Sequence, residues 1–305
     1  MPQDPSADQS GMRFAHRLQG RPSLTAEAVT LARAIEHVRP VDKRVVDDPW
    51  AYRFLSTAGR AALAAYTGTI TGRLLRRLDL IGTTWVPLRH RFIDDHLVAA
   101  LAAGVEQVVL LGAGYDTRAY RLAERLDRRP VFEVDLAAIS RRKASIIADH
   151  AAEFPESNVV RVEIDFETQR LEDRLAEAGF RDGAPTFFTW EGVPMYLTRD
   201  AVKATLDAVW AVSGTGSTIA HDMWHLVDDP SAIGTAQRIA PGALTLIGEA
   251  ITFAVHPEDM RDFYGHRGFE IRELVMAPDL PERYDADRAT LLDGSMYVLV
   301  ADRVG

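Results

Sequence analysis

QVVLLGAGYDTRAYRLAERLDRRPVFEVD, residues 107–135, decides how this chain folds. It opens on a short apolar run, Gln107 to Leu111, and turns at Gly112-Ala113-Gly114. A helical stretch over residues 117–126 follows, then a second apolar run that closes on Asp135. Short apolar runs bounded by turn residues read as strands buried on both faces. In an open α/β sheet, ligands bind beyond the carboxyl ends of such strands. Glycines at the first strand end let the backbone approach a ligand and present N–H groups at a helix start. Asp135 stands 21 residues beyond Gly114. A carboxylate at that distance can accept two hydrogen bonds from a ribose diol. Together these features predict an adenosine-type ligand.

Working outward, the same unit repeats. A helix over 136–150 leads to a strand over 160–165 ending at Asp165. A helix near 171–178 leads to a strand over 186–189 ending at Trp190-Glu191-Gly192. Thr198 is a suitable N-cap for a helix to Val212, and a strand over 217–220 ends at His221-Asp222. Alternation of this kind predicts a parallel sheet with helices on both faces. It then lapses. Residues 226–256, with Pro230, Gly234, Pro241 and Gly248, read as an insertion. After a helix over 257–266, strands over 269–276 and 296–301 follow with no helix between them, so they pair antiparallel at one sheet edge. Upstream, residues 23–37 form a helix with Leu24, Ala28, Leu31 and Ile35 on one stripe. Residues 60–103 continue helical, with breaks near Gly82 and Pro87. The expected organisation is a helical lid over residues 1–85 and a core over 86–305.

Composition narrows the function. The 305 residues are 47% apolar and 26% charged, with a formal net charge of −9. That acidic balance offers no footprint for nucleic acid or an anionic membrane. No cysteine is present, which removes disulfides, Cys–zinc sites, Fe–S clusters and a cysteine nucleophile. MPQDPSADQS at the N-terminus lacks the pattern of a secretory leader, and no apolar run is long enough to span a bilayer. The reading is a cytoplasmic protein with a small-molecule substrate. A dinucleotide fingerprint wants a third glycine where Thr117 stands, and no Walker pattern occurs. An adenosine ligand without phosphates points to S-adenosylmethionine.

QVVLLGAGYDTRAYRL (107–122), VFEVD (131–135), VEIDFE (162–167) and WEGVPMYL (190–197) resemble the leucine carboxyl methyltransferase family. ARAIEHVRPVDKRVVDDPWA (32–51) and RHRFIDD (89–95) resemble its bacterial branch, O-methyltransferases of polyketides and other small molecules. The resemblance runs from about residue 24 to 301. It implies a Rossmann-like class I methyltransferase fold, with a mostly parallel seven-stranded sheet, an antiparallel edge and the helical lid. The cofactor it implies is S-adenosylmethionine, leaving as S-adenosylhomocysteine. Arg89, with Arg91 as second choice, then pairs with the methionine carboxylate. Gly112, Ala113 and Gly114 lie along the methionine moiety, and Asp135 holds the ribose. Asp165 and Phe166 sit beside adenine, and Glu191 lies near the sulfonium and amino group. Arg33 is the nearest match to the family's basic residue in the N-terminal helices. Tyr196 falls at the floor of the acceptor pocket.

Blander readings stand beside these. Arg89 and Arg91 would also suit a surface, Asp165 a helix N-cap, and Trp190, Met195 and Tyr196 a core. His221-Asp222-Met-Trp-His225 echoes a zincin motif but follows a strand and lacks the glutamate, so no metal is expected. His221 and Asp222 are instead expected to cap a strand at the ligand face, where one orients or deprotonates a hydroxyl acceptor. A carboxylate acceptor needs no base. Ser140-Arg-Arg-Lys143 reads as a basic helix face, and Arg73, Arg76 and Arg77 as a solvated one. Trp50, Tyr52, Tyr66, Phe92 and Trp224 would suit a flat apolar substrate. The expected activity is O-methyl transfer to a carboxyl or hydroxyl of a small, polyketide-like molecule. The alternatives are an NAD-dependent dehydrogenase and a non-catalytic regulator with the same fold.

Overall fold

The structure, a computed structural model, describes residues 24–68, 82–166, 168–225, 251–284, 286, 292 and 294–304. Seven strands form one sheet: β1 Gln107–Leu111, β2 Val131–Asp135, β3 Val159–Glu163, β4 Thr186–Trp190, β5 Thr218–Trp224, β6 Phe269–Met276 and β7 Met296–Arg303. Their spatial order is β3-β2-β1-β4-β5-β7-β6. The first five run parallel, and β7 runs antiparallel to both β5 and β6. The chain winds outward from β1 through β2 to β3, then returns to β4 on β1's other side. The strand order therefore switches between β1 and β4, which is where a crevice opens.

Every residue of β1, β2 and β4 is buried. Alternate residues feed two cores. Val109, Phe132, Phe188 and Trp190 pack on one face with helix α8 (Arg199–Val212) and helix α9 (Met260–Gly265). Val108, Leu110, Phe187 and Val300 pack on the other with helix α3 (Trp85–Ala102). Both faces being covered explains the near-continuous apolar strands. Thr198 Oγ1 accepts from the Ala201 N–H at 3.2 Å and caps α8 as expected.

Helix α1 (Leu24–His37) has the expected bounds but not the one-sided burial. Residues 32–36 are all buried, Arg33 and Glu36 included, because α1 is packed against α3, against helix α2 (Thr57–Gly68) and against the glycine turn. The expected break at Pro87 does not occur. Pro87 lies in the first turn of α3, where its missing N–H would have had no intrahelical partner. The stretch after the glycine turn is two short helices, α4 (Arg118–Arg121) and α5 (Ala123–Leu126), parted at Leu122. Helix α6 (Ala137–Asp149) and helix α7 (Leu171–Glu177) fall where expected. A four-residue helix, α10 (Leu280–Arg283), does separate β6 from β7. It is too short for a parallel crossover, so the antiparallel pairing stands. The insertion expected at 226–256 lies mostly outside the described residues, as do Arg73, Arg76 and Arg77. Of the insertion, Thr252 and Phe253 donate backbone N–H bonds to Met195 O at 2.8 and 3.2 Å. Among the described residues no helix is long and apolar enough to cross a membrane.

Candidate functional site

A cavity of about 230 Å³ opens over the carboxyl ends of β1 to β4. The residues named for the cofactor all line it: Arg33, Arg89, Gly112, Ala113, Gly114, Asp135, Asp165, Phe166 and Glu191, with Tyr196 beside them. Four adjacent strand ends set their order, Asp165 after β3, Asp135 on β2, the glycine turn after β1 and Glu191 after β4. Three strand-to-strand steps span about 14 Å. That suits an elongate ligand with a base at one end and an amino acid at the other.

At the β2 end, Asp135 Oδ2 accepts from the Gly114 N–H at 2.5 Å and Oδ1 from the Leu136 N–H at 2.7 Å. No guanidinium or ammonium bonds to it among the described residues. Burial pushes this carboxyl up to about 6, against the pull of those two N–H groups and of Lys143. Each oxygen keeps lone-pair capacity for a diol. The glycine turn differs from expectation. Gly112 and Ala113 donate to Val134 O at 2.9 and 3.1 Å, Gly114 donates to Asp135, and Asp116 donates to Ala113 O at 2.8 Å. These N–H groups are turned inward, so the turn is no cradle for a phosphate. Its glycines serve close approach. Gly112 has φ +67°, and a Cβ there would lie 2.5 Å from Val193 Cγ2. Gly114, at φ +45°, also sits where side chains are rarely found.

At the other end the cavity wall is charged. Arg89 Nη1 donates to Asp222 Oδ2 at 2.5 Å and Nε to Glu191 Oε2 at 3.1 Å. Arg118 Nε meets Asp94 Oδ1 at 2.5 Å, and its Nη1 contacts both Asp116 and Glu191. Arg121 Nη1 pairs with Asp94 Oδ2 at 2.7 Å. Arg33 Nη1 pairs with Asp48 Oδ2 at 2.7 Å, and its Nη2 donates to Tyr115 O at 2.7 Å. Burial alone would raise Glu191, but Arg118, His90 and Arg89 hold it well below the usual carboxylate range. Burial likewise opposes the Arg89 charge, and Asp222 and Glu191 more than offset it. The Arg33 guanidinium pins α1 to the residue that follows the glycine turn.

Two expected residues are placed elsewhere. His221 and Asp222 do not cap a strand, because pairing with β7 carries β5 on to Trp224. Neighbours in a strand point to opposite faces. His221 points away from the cavity. Its ring stacks on Tyr264 at 5.6 Å, Nε2 is bonded to the Tyr264 hydroxyl, and Nδ1 lies 3.0 Å from Asp222 O. Burial lowers its pKa. It has no route to an acceptor proton. Asp222 points to the cavity side but is consumed by Arg89 and by the Gly192 N–H at 2.7 Å. It positions; it is not a free base. Arg91 lies outward, paired with Asp95 at 2.8 Å. Lys143 is not on a solvated face: it is 1% exposed and bonded to Glu133 Oε1 at 2.8 Å. The supposed acceptor aromatics pack elsewhere, Trp50 on Phe154 and Phe92 in the core. Trp190 and Met195 are core too, the blander reading.

Sequence reasoning passed over His90, Asp116, Arg118 and Asp94. All four lie inside quoted motifs, RHRFIDD and GAGYDTRAY, so their signal was present without a role attached. The residues fit the implied cofactor on the structure's own terms. A diol acceptor lacks a cation partner, the turn N–H groups reject a pyrophosphate, and the tail end binds charge. Arg89 would hold the tail, Asp135 the ribose, and Asp165 and Phe166 the adenine.

Comparison with known proteins identifies the family. A profile of the leucine carboxyl methyltransferase family matches residues 26–210. A relative from Parafrankia sp. (strain EAN1pec), provisionally named an S-adenosyl-L-methionine-dependent methyltransferase, is 34% identical over 259 residues, covering 84% of this chain and 80% of the relative. One of the same name from Frankia alni is 36% identical over 197 residues, 63% of this chain and 65% of the relative. Two solved structures share the fold at 16% identity. One is a provisionally assigned methyltransferase from Thermobifida fusca YX, with TM-score 0.61 over 97% of this chain and 98% of that one. The other is a DUF574 family protein from Streptomyces avermitilis, with TM-score 0.56 over 90% and 97%. The chain therefore belongs to the leucine carboxyl methyltransferase family, and it is an S-adenosylmethionine-dependent methyltransferase.

Proposed function

We propose that this enzyme methylates a carboxylate oxygen of a small, largely apolar molecule. One observation carries the reading: the described cavity holds no histidine placed to act as a base for the acceptor. His221 is on the far face of the sheet, and His90 lies at the charged tail end against Glu191, 2.9 Å from its Oε2. A phenol with a pKa of about 10 needs a partner for its proton, whereas a carboxylate is ionised at pH 7. Most of the remaining cavity wall is apolar, with Val193 and Leu197 beside Tyr196, and Ala26 and Val29 from α1.

S-adenosylmethionine supplies, when bound, an activated methyl group and a neutral thioether leaving group. The chain's own contribution is orientation and exclusion of water. Arg89 and Asp135 fix the two ends, and the inward-turned glycine loop gives a close floor. Helix α1 serves as part of a lid, tied to that floor by Arg33. Bonds from Thr252 and Phe253 to Met195 hold the loop carrying Tyr196.

The test uses S-adenosylmethionine with a labelled methyl group and panels of small acids and phenols. Products are then treated with alkali. A methyl ester releases volatile labelled methanol; a methyl ether does not. Alkali-stable label on a phenol would overturn the carboxylate reading.

A further inference from the structure

Helix α6 leaves β2 just after Asp135, and only Ser140 and Lys143 of its residues are buried. They stand three apart, so they share the face turned to the sheet. Lysine is rarely buried fully unless it is paired. Lys143 is 1% exposed, and its Nζ donates to Glu133 Oε1 at 2.8 Å, with Glu133 itself 3% exposed. Glu133 and Asp135 lie two residues apart on β2, on one face and about 6.6 Å apart along the strand. A buried ion pair is a weak source of stability, and apolar side chains would fill the space as well. Stability alone therefore gives no reason for a lysine at this position. Among the described residues Asp135 bonds only to the backbone N–H groups of Gly114 and Leu136. The other charged groups nearby have partners of their own. On β3, Glu163 is in register with Asp135, and Arg161 with Glu133. Glu163 is paired with Arg141 of α6 at 2.9 Å, and Arg161 Nη2 donates to the Tyr120 hydroxyl at 3.4 Å. Tyr115 faces Asp135 from the glycine turn, with Arg142 of α6 acting on its hydroxyl.

We propose that Lys143 is a positioning residue for the ribose site: paired with Glu133, it supplies beside Asp135 the positive charge that no direct partner provides. The proposal rests on the cofactor assignment and adds two residues that do not line the cavity. Burial favours the protonated form of Asp135 and Glu133 reinforces it, while the Gly114 and Leu136 N–H groups and Lys143 oppose it. The two halves of the pair thus act on Asp135 in opposite senses. A pair that only packed α6 onto β2 would give one sense to both, because removing either half breaks the same bond. An ionised Asp135 accepts from both ribose hydroxyls, and protonation turns one of its oxygens into a donor. Affinity for the diol therefore falls as pH drops through about 6.

Calorimetry on the whole protein with S-adenosylhomocysteine, from pH 5.5 to 8.5, tests this. Each variant is compared with wild type at the same pH, which cancels titration of the ligand. Lys143→Met should weaken binding about 3- to 10-fold at pH 5.5 and stay within about twofold of wild type at pH 8.5. Glu133→Gln keeps an acceptor for Nζ and should tighten binding about 2- to 3-fold at pH 5.5. The double variant, Glu133→Gln with Lys143→Met, removes both charges and should return to within about twofold of wild type. Unfolding midpoints check that each variant is folded; should Lys143→Met fail to fold, Glu133→Gln and the double variant still decide. Weakening by both single variants, equal at pH 5.5 and 8.5, overturns the proposal and assigns the pair to packing. Binding unchanged at every pH in all three variants overturns it too, and leaves the cofactor assignment standing. Wild type that binds S-adenosylhomocysteine at no pH overturns the cofactor assignment, and the proposal with it.

Discussion

The two ends of the cavity solve opposite problems. At the ribose end one carboxylate, Asp135, stands on two backbone N–H groups without a cation bonded to it. At the tail end four guanidiniums and five carboxylates interlock, with His90 at their edge. The lone carboxylate is poised to gain from a ligand, and the chain folds at some cost to keep it there. The network's charges are paired with one another, so its members hold one another and the fold before they hold anything else. A change at the ribose end should therefore alter binding, and a change in the network should alter stability first.

Arg118→Met should have the largest effect. It strips Asp94, Asp116 and Glu191 of a shared partner, and uncompensated buried charge costs about 3–5 kcal/mol. Urea unfolding reads this; a loss below 1 kcal/mol would mean the network is not a unit. His221→Leu comes next. The Tyr264 hydroxyl loses its partner inside the core, for about 1–3 kcal/mol, while the pH–rate profile keeps its shape. A lost acidic limb would restore His221 as a base and break the separation of site from core. The smallest effect is a pH slope. Asp135 is raised to about 6 when folded, from an ordinary value of 3.8. The native state therefore binds the extra proton between those values, and stability from this group falls as pH rises from about 4 to 6. The slope is at most about 1.4 kcal/mol per pH unit. Asp135→Asn should flatten that part of the profile, read as the difference between the two proteins' unfolding free energies.

The ribose end was legible because its signals are local. A strand, a glycine turn and an acid within 29 residues suffice for Gly112, Gly114 and Asp135. The tail end was legible only through motif resemblance. Arg33, Arg89, Arg118 and Glu191 come from α1, α3, α4 and the end of β4, and no spacing rule links residues so far apart. His221 and Asp222 were misjudged for a related reason. Where β5 ends is decided by β7, paired from Met296 onward, and that partner alone sets the point at which the strand stops. Lys143 reads in the sequence only as part of a basic helix face, because its partner Glu133 lies on a strand beneath it, ten residues back. Burial of charge is a property of the assembled fold; a sequence window sees only the charge.

The central claim is that Asp135 grips a ribose in a site without a pyrophosphate cradle. Calorimetry at pH 7.5 with S-adenosylhomocysteine and NADH, on wild type and Asp135→Asn, tests it most directly. Wild type should bind S-adenosylhomocysteine and not NADH, and the variant should lose about 1.5–3 kcal/mol of that affinity with its unfolding midpoint no lower. Tight NADH binding by wild type, or S-adenosylhomocysteine affinity untouched by Asp135→Asn, would contradict it.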